Sequence, residues 1–117
     1  MVRYPLGGYT WQMAHYLLGF RALGHDVWFY EDTGKWDCAL AYNPITNEFS
    51  PTYDYGIAAT ADFLGRIGFG DRWLFFDVAR NREHGPGEGR THTLLREADL
   101  RVSFSPVNLL PTENSPL

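Results

Sequence analysis

The stretch Pro5-Leu6-Gly7-Gly8-Tyr9-Thr10-Trp11 holds the residue types best suited to meet a ligand. Paired glycines let the main chain approach a bound group closely and adopt positive φ. A helix opening just after them, with Thr10 as its side-chain cap, would turn free N–H groups and the positive end of its dipole toward an anion. Gly7, Gly8, Thr10 and Trp11 are therefore candidate ligand contacts, with a plain turn before a helix as the competing reading. Asp32 is a further candidate. With Glu31 it closes the next apolar run, the position from which an acid holds a ribose in dinucleotide-binding folds. The Gly-x-Gly-x-x-Gly fingerprint of those folds does not fit Gly7-Gly8-Tyr9-Thr10-Trp11, so a dinucleotide is set aside and no cofactor is expected. Solvated acids at the head of a loop are the alternative for Glu31 and Asp32.

No catalytic constellation stands out elsewhere. His15, His25, His84 and His92 lack a spaced acidic partner that would orient an imidazole as a general base. His15 falls on the polar stripe of its helix, and His84 and His92 read as surface residues. No His/Asp/Glu cluster has the spacing of metal ligands, so no metal is expected. The single cysteine, Cys38, excludes an internal disulfide and a multi-cysteine zinc site, makes a weak nucleophile, and suits a reducing cytoplasm. Aromatic residues make up 16% of the chain. Trp36, Tyr42, Tyr53 and Tyr55 could stack on a sugar or pack beneath a loop. A net charge of −4 and a pI near 5.4 leave no basic footprint for nucleic acid. No apolar stretch is long enough for a membrane span or a signal peptide.

The elements that must carry these residues follow from periodicity. Met13, Leu17, Phe20 and Leu23 recur at helical spacing after Thr10, and Gly24 provides a left-handed stop. Val27-Trp28-Phe29-Tyr30 then reads as a buried strand. Glu31 to Tyr55 shows only turn signals and reads as a long loop over a site. A second helix is expected from about Gly56 to Ile67, with Ile57, Thr60, Ala61, Phe63, Leu64 and Ile67 on one face and an Asp62–Arg66 pair outside. Trp73-Leu74-Phe75-Phe76 reads as another buried strand, residues 80–90 as a surface loop, and about Thr91 to Ala98 as a short helix. Leu100, Val102 and Phe104 alternate with Arg101, Ser103 and Ser105 as a strand would. After Pro106 the tail reads as coil.

This alternation predicts one α/β domain over residues 1–117, a Rossmann-like parallel sheet with crossover helices. The three strands should pair in parallel, with Gly7, Gly8 and Asp32 gathered at their carboxyl ends. A helix opening on a Gly-Gly loop normally follows a first strand, and Met1 to Tyr4 is too short and polar to be one. The expectation is thus a partial sheet, truncated at both ends, with Phe20 and Leu64 poorly covered.

The Gly-Gly stretch, with Tyr16-Leu17-Leu18-Gly19-Phe20, Leu23-Gly24-His25-Asp26-Val27 and Glu31-Asp32-Thr33-Gly34, resembles bacterial glycosyltransferases of the GT-B type. Gly68-Phe69-Gly70-Asp71-Arg72-Trp73 and the stretch from Ala98-Asp99-Leu100 to Val107-Asn108 extend the resemblance over nearly the whole chain. It implies an N-terminal, acceptor-side domain, with the nucleotide sugar held by a C-terminal domain and the Gly-Gly loop lining the cleft between them. The partners it implies are a nucleotide sugar and a small-molecule acceptor; no catalytic base matches closely enough to assign. Such a piece would be inactive alone. A non-catalytic nucleotide- or partner-binding α/β domain would show the same alternation.

Overall fold

The computed structural model describes residues 1–34 and 41–104. Trp36, Cys38 and everything after Phe104, including the stretch expected as coil, lie outside the described residues. Helix α1 spans Gly7–Ala22 and is followed by strand β1, Phe29–Asp32. A short hairpin of β2, Ala41–Asn43, and β3, Glu48–Ser50, precedes helix α2, Asp54–Arg66. Strands β4, Trp73–Asp77, and β5, Arg82–His84, lead to helix α3, Thr91–Glu97.

The chain is mixed α/β. Strands β1 and β4 pair in parallel, from Phe29 opposite Trp73 to Asp32 opposite Phe76. Strand β5 adds to the other side of β4 in antiparallel register, giving a three-stranded mixed sheet in the order β1-β4-β5. Three expectations are corrected here. The 80–90 segment is not only a surface loop, because its polar residues Arg82 to His84 supply the edge strand. Leu100 to Phe104 forms no strand, since its alternating side chains meet no neighbouring ladder and all five residues are exposed. The supposed long loop also contains β2 and β3, which pair from Ala41 opposite Ser50 to Asn43 opposite Glu48.

Period-two geometry sends Phe29 and Glu31, with their partners Trp73 and Phe75, to one face of the sheet. There they join Met13 and Leu17 of α1, Leu64 of α2, and Tyr53, Phe69, Met1 and Val2 in one buried cluster. Leu64 is fully buried, which corrects the expectation of poor cover, and Phe20 is half-buried. The first residues provide part of that cover. A side chain at Gly56 would place its Cβ 1.8 Å from the Val2 carbonyl oxygen, so a glycine is required for Val2 to lie on α2.

Local signals explain the helix ends. Helix α1 starts three residues before Thr10, because Gly7 and Gly8 take helical backbone and the Thr10 amide donates to the Leu6 carbonyl at 3.0 Å. Thr10 is therefore not the cap. Gly24, at φ +92°, ends the helix as its sequence suggests. Asp62 and Arg66 pair at 3.0 Å one turn apart on α2. Arg21, in the last turn of α1, donates to the carbonyls of Ile67 and Gly68 beyond the end of α2 at 3.2 and 3.1 Å, and its guanidinium lies 4.5 Å from the Phe69 ring centre.

Candidate functional site

Helix α1 runs back along the sheet. Arg21 at its far end reaches the turn that precedes β4, whereas its start lies near the carboxyl end of β1, where Tyr9 shares a cavity with Glu31 and Asp32. Burial and the charge of Glu31 raise the Tyr9 phenol above its ordinary range. The first turn of α1 has no side-chain cap and no acidic residue. Gly7 and Gly8 are exposed, and nothing lies within 4 Å of where a Cβ would stand on either. Their φ angles are not positive, so these glycines leave space rather than permit a strained turn. The amides of a helix's first turn have no acceptor within the helix, and here they open onto that space.

The carboxyl ends of the parallel strands hold a row of buried polar side chains: Glu31, Asp32, Thr33 and Asp77. Each has an internal partner. Glu31 is not solvated; it accepts from the main-chain nitrogens of Met1, Val2 and Arg3 at 2.7, 2.8 and 3.1 Å. Asp32 accepts from the Tyr30 hydroxyl at 2.7 Å and the Gly34 amide at 2.9 Å. Tyr30 and Asp32 are two residues apart and so share a strand face. Burial, then the Asp32 charge and hydrogen bond, push the Tyr30 phenol far above its usual range. Thr33 accepts from the Val78 amide at 2.9 Å, tying the two strand ends together. Asp77 pairs with Arg80 at 2.7 Å, and Arg80 also donates to the Pro51 carbonyl at 2.6 Å, fixing the β3–α2 connection. Arg3, which precedes α1, keeps its Nε buried with no hydrogen-bond partner.

Of the residues singled out from sequence, Gly7, Gly8 and Thr10 lie in one helical turn. Trp11 does not face the cavity; it is 60% exposed and packs edge-on against Phe63 of α2, with ring centres 5.8 Å apart. Asp32 lines the cavity, but both carboxylate oxygens are already engaged. His15 and His92 are exposed, and His84 stacks on Phe75 from β5 rather than standing in a loop. Of the loop aromatics, Tyr53 is buried against Phe75, which supports packing over stacking on a ligand for that residue. Sequence reasoning missed Arg3, Tyr9 and Tyr30. The signals were a cation just before the glycine pair, and a tyrosine two residues from an acid within a strand. Among the described residues no group of three or more His, Cys, Asp or Glu is placed to hold a metal, and no helix is long and apolar enough to cross a membrane.

Comparison with protein-family models, with curated proteins and with solved structures gives no match.

Proposed function

We propose that the chain is the acceptor-side domain of a GT-B type glycosyl-transfer protein, working against a second domain that holds a nucleotide sugar. The reading rests on the motif resemblance from Pro5 through Thr33-Gly34, and on a Rossmann-like arrangement of which the β1–β4 pair would form part. The observation that carries it is the first turn of α1. That turn is uncapped, free of acids and open at both glycines. Such a turn suits a donor's phosphates, because main-chain N–H groups and the helix dipole both favour an anion there. Sugar transfer then needs the acceptor held against the donor, and positioning supplies much of the rate.

The test is an NMR titration of the chain with uridine diphosphate glucose and other nucleotide sugars, followed by an assay for transfer. Weak binding that shifts the amides of Gly7, Gly8 and Tyr9, without turnover, is expected. Unmoved amides in that turn at saturating ligand would sink the proposal.

One observation favours a second reading, a non-catalytic nucleotide-binding domain. The buried carboxylates Glu31, Asp32 and Asp77 are each held by internal donors, so none is poised as a base. Binding without transfer, even after a donor-binding domain is joined to the chain, would select that reading.

A further inference from the structure

The hairpin and the residues before α1 join into an aromatic corner. Tyr42 and Phe49 stand directly opposite each other on β2 and β3, so their rings share one face of the hairpin, with centres 5.4 Å apart. The Tyr42 amide donates to the Arg3 carbonyl at 2.8 Å, which seats the first residues alongside β2. The Tyr4 ring then meets that of Phe49 at 6.3 Å and 81°, one ring as floor and the other as wall. Tyr4 is 43% and Phe49 57% exposed, so both rings are open to solvent.

Beside this corner stands a cation without a counter-ion. The Arg3 guanidinium lies 5.9 Å from the Tyr4 ring centre, at the outer limit of a cation–π contact. Its Nε is buried without a hydrogen-bond partner, and the group forms no ion pair with any described carboxylate. Glu31, whose carboxylate meets the Arg3 amide, is already spent on the main-chain nitrogens of Met1, Val2 and Arg3. Glu48 precedes Phe49 on β3, and strand alternation sends it to the other face of the hairpin. Buried polar atoms are nearly always paired in folded proteins, so an arginine in this state suits an anion from outside. The planar guanidinium holds a carboxylate through two parallel bonds, a geometry that a bare ammonium cannot offer.

We propose that this corner binds an acidic saccharide, a uronic acid unit whose carboxylate pairs with Arg3 while its C–H face lies on the rings of Tyr4 and Phe49. The Tyr42 hydroxyl and the Asn47 side chain, hydrogen-bonded to each other, are the polar groups at hand for the sugar hydroxyls. The unpaired cation selects the acid, and the exposed ring faces select a sugar over a bare anion. The inference does not draw on the nucleotide-sugar reading.

The test is a titration of the full chain with trigalacturonate, followed by NMR at the ring protons of Tyr4 and Phe49 and at the Arg3 Nε–H. Saturable binding that shifts all three is expected. The fully methyl-esterified trisaccharide, with the same rings but no charge, should bind roughly tenfold more weakly, the effect of losing a charge-assisted hydrogen bond. Arg3→Gln should weaken trigalacturonate by a similar factor, and Arg3→Lys, which keeps the charge but loses the fork, by less. Added salt should weaken the acid and leave the ester unchanged. Phe49→Ala, at an exposed position, should also weaken binding while leaving the thermal melt nearly unmoved. Should Arg3→Gln fail to fold, the ester and Phe49→Ala decide the matter. Absence of binding overturns the proposal, as does equal binding of the ester, unchanged binding in Phe49→Ala, or equal binding of triglutamate or inorganic phosphate, which carry charge without a sugar face. None of these readouts involves the amides of Gly7 or Gly8, so the nucleotide-sugar reading stands or falls separately.

Discussion

At residue scale, carboxylates serve as fasteners for main-chain donors. Glu31 gathers the main-chain nitrogens of Met1 to Arg3, and removing it would leave buried donors without an acceptor. Glu31→Ala should cost about 3 kcal/mol in denaturant unfolding, because unsatisfied buried donors lose their full desolvation energy. Glu31→Gln, which keeps one acceptor oxygen, should cost less. Tyr30 gives a pH signature. Its folded-state phenol is raised by burial and then by Asp32, so its contribution to stability is complete below the ordinary tyrosine range near 10 and declines as pH rises above it. Alkaline unfolding should therefore coincide with a cooperative rise in tyrosinate absorbance, in which Tyr30 ionises together with Tyr9 and Tyr53, whose phenols burial also holds up. Tyr30→Phe should delay that loss to higher pH while costing about 1 kcal/mol near neutrality for the lost bond. Glu83 behaves in the opposite sense. Burial pushes its carboxyl up, but hydrogen bonds from Thr91 and Gly89 outweigh this and hold it below the usual carboxylate range. The stability it lends the loop before α3 is present above the ordinary glutamate pKa and is lost as pH falls through the lower folded value. An acid titration should release the Thr91 amide late, and Glu83→Gln should abolish that step.

At the scale of elements, the glycines of two helices predict opposite outcomes. Gly56→Ala would drive a Cβ into the Val2 carbonyl, so a melt should show a loss of roughly 3 kcal/mol, as for other main-chain collisions in a packed core. Gly7→Ala and Gly8→Ala meet open space in helical backbone and should each raise stability by about 0.5–1 kcal/mol. If α1 does receive an anion, the same changes should weaken nucleotide-sugar binding, because the Cβ atoms occupy the approach. This contrast also marks what could be read from sequence. Both longer helices and the β1–β4 pair were legible because Met13 and Leu17, Thr60 and Leu64, and the unbroken run Trp73 to Phe76 carry burial in their spacing. Strand β5 was not, since Arg82-Glu83-His84 is polar throughout and is a strand only because β4 offers it a ladder. Strands β2 and β3 are three residues each, too short for a period to show. Leu100 to Phe104 failed in the opposite way: alternation announces a strand but cannot provide the neighbour that makes it one. Of the candidate site, the acid after the β1 run was visible, whereas the helix start was misplaced at Thr10 because paired glycines read as a turn. The partners of that acid were not visible, because the grip of Met1 to Arg3 on Glu31 joins positions nearly thirty residues apart and leaves no local pattern.

Across the whole molecule, apolar side chains remain in solvent at several places, among them Leu23 at 76% and Leu100 at 72% exposed. Exposed apolar surface drives association, so light scattering should grow with protein concentration. Leu100→Lys combined with Val102→Lys should reduce it while leaving the melting temperature within a degree or so, since neither residue is buried. Helices α1 and α2 share a buried cluster with one face of the sheet, and Arg21 adds a link between their ends. Its guanidinium belongs to the last turn of α1 yet holds the carbonyls that follow α2, with the Phe69 ring beneath it. Fraying at either end must release the same ion, so the two helix ends are coupled in time as well as in space. Amides in the last turns of α1 and α2 should exchange with one shared opening free energy, and Arg21→Gln should split that single event into two independent and faster ones.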